Sequence, residues 1–282
     1  MALTHSQFDN PAEAEACSRR GLERNPDAAG LLWFFGLFLN REGRHEEALS
    51  FLTRYLELDP ASSKAPHRIA NLLLSMRRLP EAIPMFREPL EEQPDDPEIS
   101  FEFANCLLLK GAYAEGWEHY QHRVRLHEIA NKFFTSPKSF WQGEPLETGP
   151  LLVSAEHGFG DVIQFCRFLL DLPDESTIRV QRELVSLLSR SFPRHRVIGL
   201  HDDPGTFAKE IPLLDLPRVL HRELSGISSS IPYLVPDPDR SAYWSERLQR
   251  ISGRKVGNTW SSNQAHRLNH WRRIPLSRWS LL

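Results

Sequence analysis

The run Glu156-His-Gly-Phe-Gly-Asp161 gathers residue types that can do chemistry. It follows the apolar run Leu151-Leu-Val-Ser-Ala155 and precedes a helical-looking segment at residues 162–172, so it predicts a strand, a glycine loop and a helix. Backbone amides in such a loop, with the helix N-terminus behind them, can face an anion. His157, Gly158 and Gly160 are therefore candidate phosphate-loop residues. The third glycine of a dinucleotide fingerprint is missing and no acidic residue clearly ends the next strand, which argues against NAD. Asp161 closes the run, where its carboxylate can cap the helix by accepting amide hydrogen bonds. From Gly253 onward six basic residues, Arg254, Lys255, Arg267, Arg272, Arg273 and Arg278, occur with no acidic one. Such a stretch attracts phosphate, with Arg272 as the candidate ligand residue, or forms a solvated edge. No nucleic-acid reading motif accompanies it, so a nucleic-acid partner is not expected.

The elements that position this loop follow from the surrounding pattern. Thr177–Val180 reads as a strand, Arg182–Ser191 as a helix, residues 195–200 as a strand and residues 211–216 as a further apolar stretch. Alternation of this kind predicts an open parallel α/β sheet of Rossmann type. Residues 131–150, with Pro and Gly turn signals, predict a surface linker before it.

The first half of the chain obeys a different rule. Pro26, Pro60 and Pro94 are spaced by 34 residues, as are Glu13, Glu47, Glu81 and Glu115, and Ala14, Ala48, Ala82 and Gly116. With the proline at position 32, Phe35, Ile69 and Phe103 fall at position 7, Gly36, Ala70 and Ala104 at position 8, and Leu39, Leu73 and Leu107 at position 11. Antiparallel helices pack closely only where one offers a small residue, so positions 8 and 20 must be Gly or Ala. Leu52, Phe86 and Tyr120 at position 24 fill the space around that contact. Gly43 and Gly111 permit the turn between helices, and each proline closes a unit. Tyr55 and Pro89 occupy a normally small position, and Pro84 inside a second helix predicts a kinked or short helix.

This pattern resembles the tetratricopeptide repeat family over residues 7–130: a half repeat at about 7–28, then 29–62, 63–96 and 97–130. The resemblance implies a helical solenoid whose first helices line a concave peptide groove. The groove positions here are Trp33, Asn40, Arg41, Lys64, His67, Asn71, Phe101 and Asn105. Asn71 and Asn105 share position 9, where a carboxamide can both donate to and accept from an extended peptide. They resemble the asparagine ladder of O-linked N-acetylglucosamine transferase solenoids, or they solvate the face and bond between repeats.

A second resemblance runs from residue 111 to 282. Gly111-Ala-Tyr-Ala-Glu-Gly-Trp117 with Tyr120 and Arg123, Trp141-Gln-Gly-Glu-Pro-Leu146, Glu156 to Phe165, Ile211-Pro-Leu-Leu-Asp-Leu-Pro217, Lys255-Val-Gly-Asn-Thr-Trp260 and Asn269-His-Trp-Arg-Arg-Ile-Pro-Leu276 resemble bacterial tetratricopeptide-linked glycosyltransferases of the GT-B type. That implies an acceptor-side Rossmann-like lobe at 151–253 and, at 254–282, the incomplete start of a donor-binding lobe. It also implies a nucleotide-sugar donor as substrate, no cofactor or metal, and Asp161 as general base, since a carboxylate at the cleft can take an acceptor hydroxyl's proton. Asn258, His270 and Arg273 depart from the family pattern, and Trp260, Trp271 and Trp279 stand in the unfinished lobe. Two functions remain open: a glycosyltransferase-like protein whose solenoid presents a protein acceptor, or a non-catalytic adaptor that only mediates protein–protein interaction.

Bulk properties set the frame. The 282 residues are 40% hydrophobic and 25% charged, ordinary for a globular chain. Residues 1–130 hold 14 Lys/Arg against 21 Asp/Glu, and residues 131–282 hold 20 against 16, so the halves differ in surface charge. The longest apolar run, residues 31–39, is too short for a membrane helix, and the N-terminus lacks a signal-peptide layout. A cytoplasmic location without membrane contact is expected. Cys17, Cys106 and Cys166 form no Cys-x-x-Cys pair and read as small buried hydrophobes.

Overall fold

A computed structural model of the chain describes residues 11–126, 129, 133–134, 140–156, 158–220 and 231–255. The 34-residue period becomes a series of paired helices: α1 (Pro11–Arg24), then α2 (Ala29–Arg41) with α3 (His45–Leu58), α4 (Ala65–Ser75) with α5 (Leu79–Glu92), and α6 (Pro97–Lys110) with α7 (Tyr113–Tyr120). A 3-10 turn, Gln121–Arg125, follows α7. The small residues do what their spacing requires: Gly36, Ala70, Ala104, Ala48, Ala82 and Gly116 are all buried. A Cβ on Gly36 would lie 2.7 Å from Leu52 Cγ, so α2 and α3 approach through a contact no larger side chain fits. Phe35, Leu39, Leu52, Ile69, Leu73, Phe86, Phe103 and Leu107 fill one continuous core around these contacts.

The turns within the pairs show what the repeat demands of its backbone. Gly43 and Gly111 adopt φ of 78° and 88°, and the equivalent residue of the middle pair, Arg77, adopts 62° without being glycine. Left-handed backbone costs a side-chain-bearing residue about 1–2 kcal/mol, which the flanking packing must offset. Helix α6 is capped at both ends: Asp96 Oδ1 accepts from the amides of Glu98 and Ile99 at 2.9 Å each, and Gly111 is its left-handed C-terminal residue. The helix expected to be kinked or short is not short: α5 runs 14 residues with Pro84 and Pro89 inside it. Helix α5 packs against both α4 and α6, and that packing offsets the hydrogen bonds the prolines cannot make.

Beyond the repeats, β1 (Leu151–Ser154), β2 (Thr177–Val180), β3 (Arg196–Gly199) and β4 (Lys209–Pro212) form a parallel sheet in the order β3-β2-β1-β4. Leu152 pairs with Thr177 on one side and Glu210 on the other. Helix α8 (Phe159–Phe165) leads into a 3-10 turn, Cys166–Asp171, so the continuous helix expected over residues 162–172 starts earlier and tightens midway. Helix α9 (Arg182–Ser191) turns Leu184 and Leu188 inward. The apolar stretch 211–216 is not one strand: β4 ends at Pro212, and a 3-10 turn (Leu213–Asp215) opens the short α10 (Leu216–Val219). A contiguous apolar run carries no period, so its burial was readable and its conformation was not. Of the segment expected to be a linker, Trp141 is buried, donates its amide to Glu210 O at 2.8 Å, and follows a bridge between Phe140 and Glu210.

The third helix pair belongs to two cores. Phe103 and Leu107 face the repeats. Ala104 and Tyr120 join Leu151, Val153, Ile178 and Ile211 in the sheet core, against which Phe101, Leu108 and Trp117 also pack. Residues up to 234 form one compact unit and those from 235 a second. Within the latter, α11 (Pro238–Gln249) is N-capped by Asp237, whose Oδ1 accepts from Arg240 N at 3.0 Å, and contains no buried residue.

Candidate functional site

Helices α2, α4 and α6 carry the expected groove residues, except Lys64, which precedes α4. Position 5 holds Trp33, His67 and Phe101. Trp33 is half-buried with its ring 5.1 Å from that of Tyr55. His67 is buried, and its Nε2 and the Nδ2 of Asn71 both donate to Glu102 Oε2. The carboxylate of α6 thereby ties two side chains of α4 to the next repeat. Asn105, one repeat on from Asn71, is half-buried and makes no side-chain hydrogen bond among the described residues. Asn40 Oδ1 lies 3.0 Å from His45 Nδ1. Arg41 and Lys64 are exposed at the C-terminus of α2 and before α4. The Phe101 ring lies 5.5 Å from that of Tyr120, tilted to it by 51°, and packs on the sheet core. The structure thus brings His67 and Asn71 together through Glu102, a residue that repeat position alone did not single out.

The loop after β1 places Gly158 and Gly160 exposed at the start of α8. Neither has left-handed backbone, and a Cβ on Gly160 would meet nothing within 4 Å. Helix α8 has seven residues, so its dipole is weak. Asp161 is half-buried, and its carboxylate makes no side-chain hydrogen bond or ion pair among the described residues, so it does not cap the helix. His157 and Arg272 lie outside the described residues, as do Asn258, His270, Arg273 and the tryptophans after residue 256.

Beneath that loop sits a cluster the motifs only framed. Arg123, in the turn after α7, is wholly buried. Its Nε donates to Glu156 Oε1 at 2.9 Å, its Nη2 donates to the same oxygen, and its Nη1 donates to Asp215 Oδ1 at 2.5 Å. Its guanidinium also lies 4.3 Å from the Tyr120 ring centroid. Glu156 follows β1 and Asp215 follows β4, so both carboxylates stand at the carboxyl ends of adjacent strands. Burial pushes the Glu156 carboxyl up to about 7 against the pull of Arg123, and Asp215 and Asp161 push the same way as burial. Glu156 Oε2 is buried with no hydrogen-bond partner among the described residues. A charged residue at the end of one apolar run, Glu156, and inside another, Asp215, was the sequence signal for this cluster.

A second buried network crosses the sheet. Arg179 Nη2 donates to Ser154 Oγ at 3.0 Å and to Glu210 Oε1 at 2.8 Å, and Ser154 Oγ donates to Glu210 Oε1 at 2.6 Å. Cys106 and Cys166 are buried, and burial pushes the Cys166 thiol up to about 12. Cys17, expected to be buried, is exposed: it lies on α1, whose main packing is against α2 with ion pairs from Arg19 and Glu15 to the start of α3. Among the described residues no helix is long and apolar enough to cross a membrane.

Two tetratricopeptide repeat family models match the chain, one at residues 1–63 and one at residues 39–100. Residues 1–100 are tetratricopeptide repeats. Protein FlbA of Caulobacter vibrioides is 28% identical over 292 aligned residues, which cover 93% of this chain and 48% of FlbA. That alignment reaches well past the tetratricopeptide repeats into the sheet. The TPR repeat-containing protein PA4667 of Pseudomonas aeruginosa is 33% identical over 117 residues, covering 36% of this chain and 19% of that protein. The chain thus spans about half the length of FlbA and less of PA4667. A solved structure of MamA, the RS-1 ArsTM double mutant, superimposes with a TM-score of 0.40 at 20% identity, over 42% of this chain and 67% of MamA.

Proposed function

We propose that this chain binds an extended segment of a partner protein along the face formed by α2, α4 and α6, and acts through that interaction. The observation that carries this reading is the polar row on α4 and α6. Glu102 fixes His67 and Asn71 in place, while Asn105 keeps a carboxamide with no partner among the described residues. A fixed frame with an open amide suits the alternating donors and acceptors of a peptide backbone. Lys64, exposed just before α4, favours acidic side chains on the partner. The test is an array of extended peptides probed with the full chain and with Asn105→Ala. Loss of one peptide hydrogen bond weakens binding about fivefold to tenfold, while Glu88→Ala on exposed α5 surface leaves it unchanged. Equal binding by Asn105→Ala rejects the assignment.

A second reading gives the sheet a part in sugar transfer. Open α/β sheets bind ligands beyond the carboxyl ends of their strands where the strand order reverses, which here lies between β1 and β4. Asp161, with its carboxylate unengaged among the described residues, follows β1 at that place. In this reading the sheet is Rossmann-like, a nucleotide sugar is the donor, and Asp161 draws the proton from an acceptor hydroxyl. A thermal-shift panel of nucleotide sugars, with Asp161→Asn compared in a transfer assay, tests it. Absence of saturable binding removes this reading and leaves the first intact.

A further inference from the structure

The turn after α7 drives a cation into the base of the sheet, and the charges there do not balance. One guanidinium, Arg123, faces two carboxylates, Glu156 and Asp215, and the side chains of Arg123 and Glu156 are fully excluded from solvent. An uncompensated charge in such surroundings is costly, so a buried cluster with one excess carboxylate takes up a proton instead. We propose that Arg123, Glu156 and Asp215 form a proton-operated clasp that joins the repeats to the sheet, closed when Glu156 holds a proton and loosened when it gives it up.

Geometry selects the proton's seat. Arg123 reaches Glu156 only through Oε1, leaving Oε2 buried without a partner among the described residues, and an unpartnered buried oxygen is the atom whose charge the surroundings tolerate least. Among the described residues, the charged and titratable groups facing Glu156 are Arg123 and Tyr120 from the end of the repeats, Asp215 from the turn after β4 and Asp161 from α8. Arg123 alone favours ionisation, while both aspartates oppose it. The next residue in sequence, His157, lies outside the described residues. With the Glu156 carboxyl raised from an ordinary 4.5 to about 7, its contribution to folding is fully present below pH 4.5. It is lost as pH rises through 7, which lowers the folding constant on the order of a hundredfold.

The experiment compares full-length wild type with Glu156→Gln and Asp215→Asn, reading urea unfolding and hydrogen exchange between pH 5 and 8.5. In wild type, amides of residues 113–126, 151–156 and 209–220 gain protection as pH falls from 8 to 6, after correction for intrinsic exchange. Glu156→Gln makes the cluster neutral at every pH, so its seam protection is flat with pH and exceeds wild type at pH 8. Asp215→Asn leaves one cation and one carboxylate and also flattens the profile. The histidine background is common to all three proteins and cancels. Variants that retain the wild-type profile overturn the clasp. Should neither variant fold, glutamate carboxyl 13C shifts in wild type decide: one carboxyl titrating near neutrality supports the proposal, and none titrating above pH 6 overturns it.

Discussion

At the scale of single residues, the tightest steric condition lies at Gly36. A methyl placed there meets Leu52 Cγ at 2.7 Å and Cδ2 at 2.8 Å, and Leu52 is itself buried among aromatic neighbours. Alanine gains about 1 kcal/mol in helix propensity over glycine, but overpacking costs about 1–3 kcal/mol. Gly36→Ala is therefore expected to lose about 1 kcal/mol in urea unfolding. Leu52→Ala alone loses about 2–5 kcal/mol. The double variant loses less than the sum of the two, because the added methyl occupies part of the vacated space; a coupling of about 1 kcal/mol is expected, and strict additivity contradicts the contact. The small-residue series made this site legible from spacing. Nothing comparable announced Glu102, because its partners His67 and Asn71 sit on the preceding repeat and its own position is outside the groove set.

At the scale of elements, the three intrapair turns form a natural comparison series. Two use glycine in left-handed backbone and the middle one uses Arg77. Replacing Arg77 with glycine removes strain of about 1–2 kcal/mol, partly offset by the greater freedom of glycine in the unfolded chain. Arg77→Gly is expected to raise stability by about 0.5–1 kcal/mol, seen as a higher urea midpoint, whereas Gly111→Ala lowers it. The paired helices were readable because every unit repeats the same steric solution, so an error in one unit is corrected by the others. The strand–turn elements lacked that redundancy. Residues 211–216 are apolar except for Asp215, and only the ladder of β4 with β1, set by partners far away in sequence, decides where the strand stops.

For the molecule as a whole, the third repeat acts as the mortar between helical array and sheet. Arg123→Met leaves Glu156 and Asp215 buried without their cation, a loss expected to reach about 3–5 kcal/mol. The sign with pH follows from Glu156: without the pull of Arg123 it is easier still to protonate, so the variant recovers part of its stability at pH 5 relative to pH 8. A deficit equal at both pH values contradicts a buried carboxylate pair. Sequence spacing could not reveal this joint, since Arg123 meets partners 33 and 92 residues away in the chain, and no period spans both.

The double allegiance of α6 and α7 has a consequence during biosynthesis. Helix pairs close on near neighbours and can form as they leave the ribosome, but β1 must wait for β4, whose residues 209–212 come much later. Until then Phe101, Leu108 and Trp117 lack the surface they pack against. At about 5–20 residues per second, that interval lasts on the order of ten seconds, long enough for chaperone capture of a nascent chain whose first repeats are already native.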